Sequence, residues 1–181
     1  MLIGFTGAQS TGKSTLLDQM TRDEHFRKCS FVKEVTRKVA RKGLNINAHG
    51  NDTTQLFILS EHLYNHHAEE SCMVLDRCII DGYIYTRWLF EQGSVSEWVY
   101  KHACQLHDLL IKRLDVVFYT HPDDVPLQDD GVRSADAQFR NDIIQLYNDY
   151  MHTRQTQTDI VVLRGDVPTR MKTIKETLKN L

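Results

Sequence analysis

The sequence predicts an α/β fold built on a parallel sheet, and three observations carry that prediction. Short apolar runs of strand length alternate with segments of helical apolar spacing along all 181 residues. The first apolar run leads directly into a glycine-rich turn that itself opens a helix. The chain is 41% hydrophobic and 25% charged, enough for one sizeable core and short for two. Residues 1–181 are therefore taken as a single domain.

Met1 to Thr6 is the first apolar run, and Gly7-Ala8-Gln9-Ser10-Thr11-Gly12-Lys13-Ser14-Thr15 after it matches G-x-x-x-x-G-K-[ST]. Phosphate carries charge on several oxygens, so a site for it needs converging N–H donors, a cation and little side-chain bulk. Gly7 and Gly12 give the backbone freedom, and the N–H groups through Gln9, Ser10, Thr11 and Thr15 form an anion nest at a helix start. Lys13 is expected on the β- and γ-phosphates, and the Ser14 hydroxyl on Mg²⁺. The run from Leu16 to Met20 supplies the apolar face of the helix.

A polar stretch, Thr21 to Lys28, precedes a second short strand, Cys29 to Lys33. Glu34 stands at its end, followed by a helical pattern from Val35 to a stop at Gly43. Ligands of open parallel sheets sit outside the carboxyl ends of the strands, which makes Glu34 and Arg37 acceptor-binding candidates. The bland reading is a solvated helix start. Thr53 to Tyr64 has helical spacing behind a threonine cap, with Gln55 and Phe57 facing the acceptor. His62, His66 and His67 are expected to point to solvent; i, i+4 spacing could bind a metal, but no acid or Cys cluster accompanies them.

Cys72 to Arg77 is an apolar strand ending in an acid and a base. Asp76 is expected to serve the metal through its water shell, and Arg77 to act where charge develops or where the acceptor is oriented; a structural Asp76–Arg77 ion pair is the alternative. Helical segments follow, Asp81 to Gln92 and Val95 to Lys112. Their aromatic residues are read as core or homodimer contacts, with Tyr83 or Tyr85 free to stack on a base and Arg87 a candidate for an acceptor phosphate. Leu114 to Thr120 is the fourth strand. The acidic, turn-rich segment from Asp123 leads to a long helix, Ala137 to about Arg154, flanked at its start by Arg133 and Arg140. These read as lid arginines that close on the transferring phosphoryl group, or as ordinary surface charges. Asp159 to Leu163 is the last strand, and the turn through Gly165 and Asp166, before a helix bearing Arg170, Ile174 and Leu178, is placed to receive a nucleotide base.

The net charge of −2, from 22 Lys+Arg against 24 Asp+Glu, predicts no broad nucleic-acid field, although a local basic groove stays open. Cys29, Cys72, Cys78 and Cys104 show no C-x-x-C pair and read as reduced, mostly buried thiols of a cytoplasmic protein. No apolar run approaches the roughly 20 residues that cross a bilayer.

The succession of strand and phosphate loop, strand and Glu34/Arg37, strand and Asp76-Arg77, strand and arginine-bearing segment, strand and Gly165-Asp166 resembles the P-loop small-molecule kinases of the nucleoside and nucleotide type over essentially the whole chain. Asp76 to Thr86 resembles the Asp-Arg segment of thymidylate and deoxynucleoside kinases. Glu34-Val35-Thr36-Arg37 with Asp129 to Arg133 is closer to the nicotinamide riboside kinase-like AAA-type ATPase/kinase family. The resemblance implies a P-loop NTPase three-layer fold: a five-stranded parallel sheet flanked by helices, with a short arginine-bearing lid. It implies ATP with Mg²⁺ as donor and a nucleoside-like acceptor. By position, Lys13 and Ser14 match the phosphate lysine and magnesium hydroxyl, Asp76 and Arg77 the Asp-Arg pair, Arg133 and Arg140 the lid arginines. Glu34 matches the acid that takes the acceptor's proton. Asp81 falls in the same acceptor-binding segment. The dense lid arginines of many monophosphate kinases are absent.

The expected activity is transfer of the γ-phosphoryl group to a nucleoside or nucleotide acceptor. Nicotinamide riboside and a hydroxymethylated base in DNA remain alternatives, the latter disfavoured by the charge. A different class, an ATPase or switch without a small-molecule acceptor, lacks the GTPase N-K-x-D motif after the fourth strand, where His121-Pro122-Asp123-Asp124 stands.

Overall fold

The computed structural model describes residues 1–33, 35–67, 69–124, 134–153 and 158–181, with all side chains of these except residues 37 and 134–136. Among them the strands are β1 (Leu2–Thr6), β2 (Ser30–Val32), β3 (Met73–Leu75), β4 (Val116–Thr120) and β5 (Asp159–Leu163). The helices are α1 (Lys13–Arg22), α2 (Val35–Arg41), α3 (Asp52–His66), α4 (Ile79–Glu91), α5 (Glu97–Leu110), α6 (Ser134–Thr153) and α7 (Val167–Lys179). The strands form one five-stranded sheet in the order β2-β3-β1-β4-β5, all parallel.

Alternation along the strands divides the core in two. Ile3, Phe5, Val74, Val116, Phe118 and Leu163 face α1 and α7, where Leu16, Leu17, Met20 and Ile174 complete a buried layer. Met73, Leu75, Val117 and Tyr119 face the other way, against residues of α3, α4, α5 and α6. Buried on both faces, the central strands have to be continuously apolar, which is why they were legible as runs.

Local chemistry shifts several boundaries. Asn51, not a threonine, caps α3: its Oδ1 accepts from the Thr54 N–H at 3.0 Å. The fourth helix starts at Ile79 rather than Asp81, because the Asp81 carboxylate accepts from the Cys78 N–H at 3.3 Å and closes the first turn from its third position. No helix among the described residues is long and apolar enough to cross a membrane.

The cysteine reading needs correcting: Cys29 and Cys72 are joined in a disulfide, their Cα atoms 4.5 Å apart, while Cys78 and Cys104 are free. Sequence spacing could not pair them. Strand register does, because Ser30 lies opposite Met73, so the residues just before β2 and β3 face one another.

Candidate active site

The carboxyl end of β1 turns into the glycine-rich loop. Gly7 has φ 138°, and a Cβ there would lie 2.6 Å from Thr120 Oγ1 and 2.9 Å from the Thr120 carbonyl. Only glycine lets the loop lie this close to β4. Lys13 begins α1 and folds back beneath the loop, its Nζ donating to the carbonyls of Gly7 and Ala8, both at 2.7 Å, and to Thr11 Oγ1 at 3.2 Å. The expected reach to phosphate therefore starts from an ammonium whose three donors are engaged by the loop. Burial, then the charge of Arg77, pushes Lys13 down to about 7.

Two more cations brace the same loop. Arg140, buried on α6, donates from Nε to the Gln9 carbonyl at 3.2 Å, and its Nη2 has no partner among the described residues. Arg170, 2% exposed on α7, donates from Nη1 to the Thr11 carbonyl at 2.9 Å and from Nη2 to Asp124 at 3.3 Å. Asp124 also accepts from the Gly165 N–H at 3.0 Å, tying the turns after β4 and β5 together. Thr6 Oγ1 lies 3.1 Å from the Tyr147 hydroxyl, a further link to α6.

Above the loop is a cavity of about 250 Å³ lined by Gln9 to Thr15, Asp76 and Arg77. Ser14 Oγ donates to Asp76 Oδ2 at 3.4 Å. A hydroxyl and a carboxylate brought together beside an anion nest suit a hard cation that takes its remaining ligands from water and phosphate. Arg140 does not itself line the cavity; it is joined to the loop there through the Gln9 carbonyl. The residues present thus fit a magnesium–nucleoside triphosphate.

A second, enclosed cavity of about 30 Å³ lies beside Arg77, bordered among others by Thr36, Gln55, His62, Asp81 and Tyr85. Arg77 Nη1 donates to Asp81 Oδ1 at 2.7 Å, and its guanidinium sits 5.2 Å from the Tyr85 ring centre. The ion pair of Arg77 is thus with Asp81 and not with Asp76. At 100° per residue, 81 and 85 share one face of α4 while 83, 87 and 91 share the opposite one.

That geometry corrects two expectations. Tyr83 is not at the acceptor cavity but packs in the core, its ring 5.2 Å from His107 and 6.1 Å from Tyr150. Arg87 lines neither cavity, and its Nε donates to Glu91 at 2.8 Å. Gln55 does face the cavity, 2% exposed, with Oε1 accepting from Thr86 at 2.9 Å. Phe57, 44% exposed, does not. Gly165 and Asp166 have structural duties: the Gly165 N–H is bound to Asp124, and Asp166 caps α7 by accepting from the Thr169 N–H at 2.9 Å. Glu34 and Arg133 lie outside the described residues, as does the side chain of Arg37.

Two of the three imidazoles depart furthest from expectation, whereas His67 is exposed as expected. His62 and His66 are each 1% exposed rather than turned to solvent, because they share the buried stripe of α3 with Ile58 and Leu59. His66 bonds the His62 carbonyl at 2.7 Å and the Ile79 N–H at 3.3 Å. Sequence reading also missed the loop-bracing role of Arg170. A signal existed: an arginine, and likewise a histidine, standing at i, i+4 within an otherwise apolar helical stripe.

A family model described as an AAA domain matches residues 2–170. Three solved structures with similar folds are of deoxyadenosine kinase from M. mycoides. One, with products dCMP and a flexible dCDP bound, superposes with a TM-score of 0.74 at 15% identity, covering 99% of both chains. A second, with dCTP, gives 0.67 at 16% identity over the whole of both chains. The third, with dATP, gives 0.64 at 16% identity over 99% of this chain and 100% of the other. No curated protein sequence matches the chain.

Proposed function

Because the chain belongs to the AAA domain family, matched over residues 2–170, we propose that it is an ATP-dependent phosphotransferase acting on a hydroxyl of a nucleoside-type acceptor. The observation that carries this is Arg77, which borders both the phosphate-loop cavity and the enclosed second cavity. A donor phosphate and an acceptor would thereby meet across one guanidinium. The deoxyadenosine kinases of similar fold make a nucleoside the first acceptor to test.

Bound on the loop, magnesium-ATP supplies the γ-phosphoryl group, whose bond to the bridging oxygen breaks as a bond to the acceptor oxygen forms. The loop N–H groups and Lys13 would hold the phosphates, Ser14 and Asp76 the metal. Arg140 and Arg133 are assigned to charge developing on the transferred group from their places in the chain. Glu34, between the last residue of β2 and the first turn of α2 in sequence, would accept the proton that an attacking hydroxyl must lose. A phosphate acceptor needs no such base and wants free cations. The charge of Arg77 is already answered by Asp81, which favours a hydroxyl.

The test is ATP consumption with Mg²⁺ against nucleosides, nucleoside monophosphates, nicotinamide riboside and oligonucleotides carrying hydroxymethylated bases. Nucleosides should stimulate turnover well above the acceptor-free rate. Turnover that no acceptor stimulates would favour an ATPase or switch. Glu34→Gln should lower kcat by about 10²-fold or more with near-normal nucleoside affinity; an unchanged kcat would point to a phosphate acceptor.

A further inference from the structure

Two histidines one turn apart on α3 are buried to the same degree and differ in one respect. His66 is fully used. Its Nδ1 lies 2.7 Å from the His62 carbonyl, which can only accept, so Nδ1 carries the proton and Nε2 is left to accept from the Ile79 N–H. His62 is 1% exposed, and its Nδ1 has no partner among the described residues. A buried nitrogen left unpaired costs free energy comparable to a lost hydrogen bond, so its retention calls for a ligand.

The His62 ring is pinned by its neighbour. A Cβ on Gly82 would lie 3.0 Å from His62 Cδ2 and 3.4 Å from Nε2. That edge lies against Gly82 of α4, and both His62 and Gly82 border the enclosed cavity. Gln55 borders the same cavity, and its Oε1 is occupied by Thr86, leaving its amide hydrogens to offer. Arg77 is neutralised by Asp81. Burial, with the charge of Arg77 adding to it, pushes the His62 imidazole down to about 3, so it is uncharged at any working pH. This part of the cavity wall combines neutral polar atoms with a compensated ion pair. At about 30 Å³ it admits the edge of a ring and not a whole ring.

We propose that His62 is a specificity-determining residue, its Nδ1 hydrogen-bonding the polar edge of an uncharged heteroaromatic base whose neighbouring atom accepts from Gln55. The inference rests on the nucleoside reading above and narrows it: the acceptor is a nucleoside with a neutral base. A cationic pyridinium nucleoside is excluded, because the Asp81 carboxylate at this cavity is already paired with Arg77 and a neutral ring nitrogen cannot answer its charge.

The experiment uses the full chain labelled with ¹⁵N-histidine, with deoxyadenosine, deoxycytidine and nicotinamide riboside added separately and no ATP present. One buried imidazole Nδ1 resonance, absent in His62→Phe, should move on addition of a neutral-base nucleoside and stay still with nicotinamide riboside. His62→Phe should raise the nucleoside KM about tenfold, the loss of one neutral hydrogen bond, with kcat within about threefold and ATP affinity within about twofold. His62→Asn, whose amide nitrogen reaches the Nδ1 position, should recover most of the KM and carries the test if the phenylalanine variant does not fold. Nucleosides that are phosphorylated normally by both variants, with no His62 shift, would overturn this assignment and leave the kinase reading standing. Binding of ATP without binding of any nucleoside would overturn both.

Discussion

Arg170→Met removes the strut beneath the phosphate loop while keeping an apolar side chain of similar length. In the native chain the guanidinium, 2% exposed, satisfies the Thr11 carbonyl at 2.9 Å and Asp124 at 3.3 Å. Methionine leaves both without that partner. Breaking a fully buried ion pair costs about 3–5 kcal/mol, but the Asp124 side chain is 21% exposed and keeps the Gly165 N–H. Water and that bond recover part of the loss, leaving about 2–3 kcal/mol. For a domain of this size that corresponds to a fall in Tm of about 5–10 °C. ATP affinity should weaken as well, because the Thr11–Gly12 peptide loses the contact that orients it. Thermal unfolding and calorimetric ATP titration measure the two effects. Pairing the substitution with Asp124→Asn should restore part of the stability, since the uncompensated charge is then gone. A Tm within about 1 °C of the parent and an unchanged ATP Kd would refute the reasoning.

Other consequences can be measured separately. Lys13 sheds its proton near 7 in the folded protein and near 10.5 in the ordinary range; the unfolded state binds more protons between those values, so stability should rise with pH across that interval. Phosphate draws the proton back, so above about pH 8 ATP binding should take up close to one proton and weaken about tenfold per pH unit; titrations in buffers of different ionisation enthalpy showing no proton uptake would contradict this. Ser14→Ala should lower the apparent Mg²⁺ affinity in an ATP-turnover titration by about tenfold or more, and an unchanged Mg²⁺ requirement would remove Ser14 from the metal site. Reduction of the disulfide, which closes a sequence separation of 43 residues, should lower stability by up to about 4 kcal/mol through the unfolded chain; denaturant melts with and without reductant measure it, and coincident curves would mean that the pair contributes nothing.

The strands and the phosphate loop were legible because their signals are local: buried parallel strands must be apolar throughout, and an anion nest needs its glycines at fixed offsets. Ser14 and Asp76 were each legible as metal candidates from their place after an apolar strand, whereas their approach to 3.4 Å depends on β1 lying beside β3. What stayed hidden depends on which face of a helix meets which neighbour. Tyr83 and Tyr85 are two residues apart and chemically alike, yet 200° of helix rotation sends one into the core and the other to the cavity. Arg87 looked like a phosphate ligand until its partner four residues on, Glu91, accounted for it. Arg140 stood out only as a charge near a helix start, whereas its burial against Gln9 is a tertiary fact. The pairing of Cys29 with Cys72 required the register of β2 on β3.

The cations around the loop have a consequence for transplanting it. Lys13, Arg140 and Arg170 bond the carbonyls of Gly7, Ala8, Gln9 and Thr11. With no cis peptide among the described residues, each tethered carbonyl fixes its peptide plane and turns the next N–H to the opposite side. Side chains from α1, α6 and α7 thus set the polarity of the loop, at chain distances of up to 159 residues. The nine-residue motif grafted onto a scaffold that lacks those three anchors would keep its glycines and lose its orientation, with each peptide free to present oxygen as readily as nitrogen to an incoming anion.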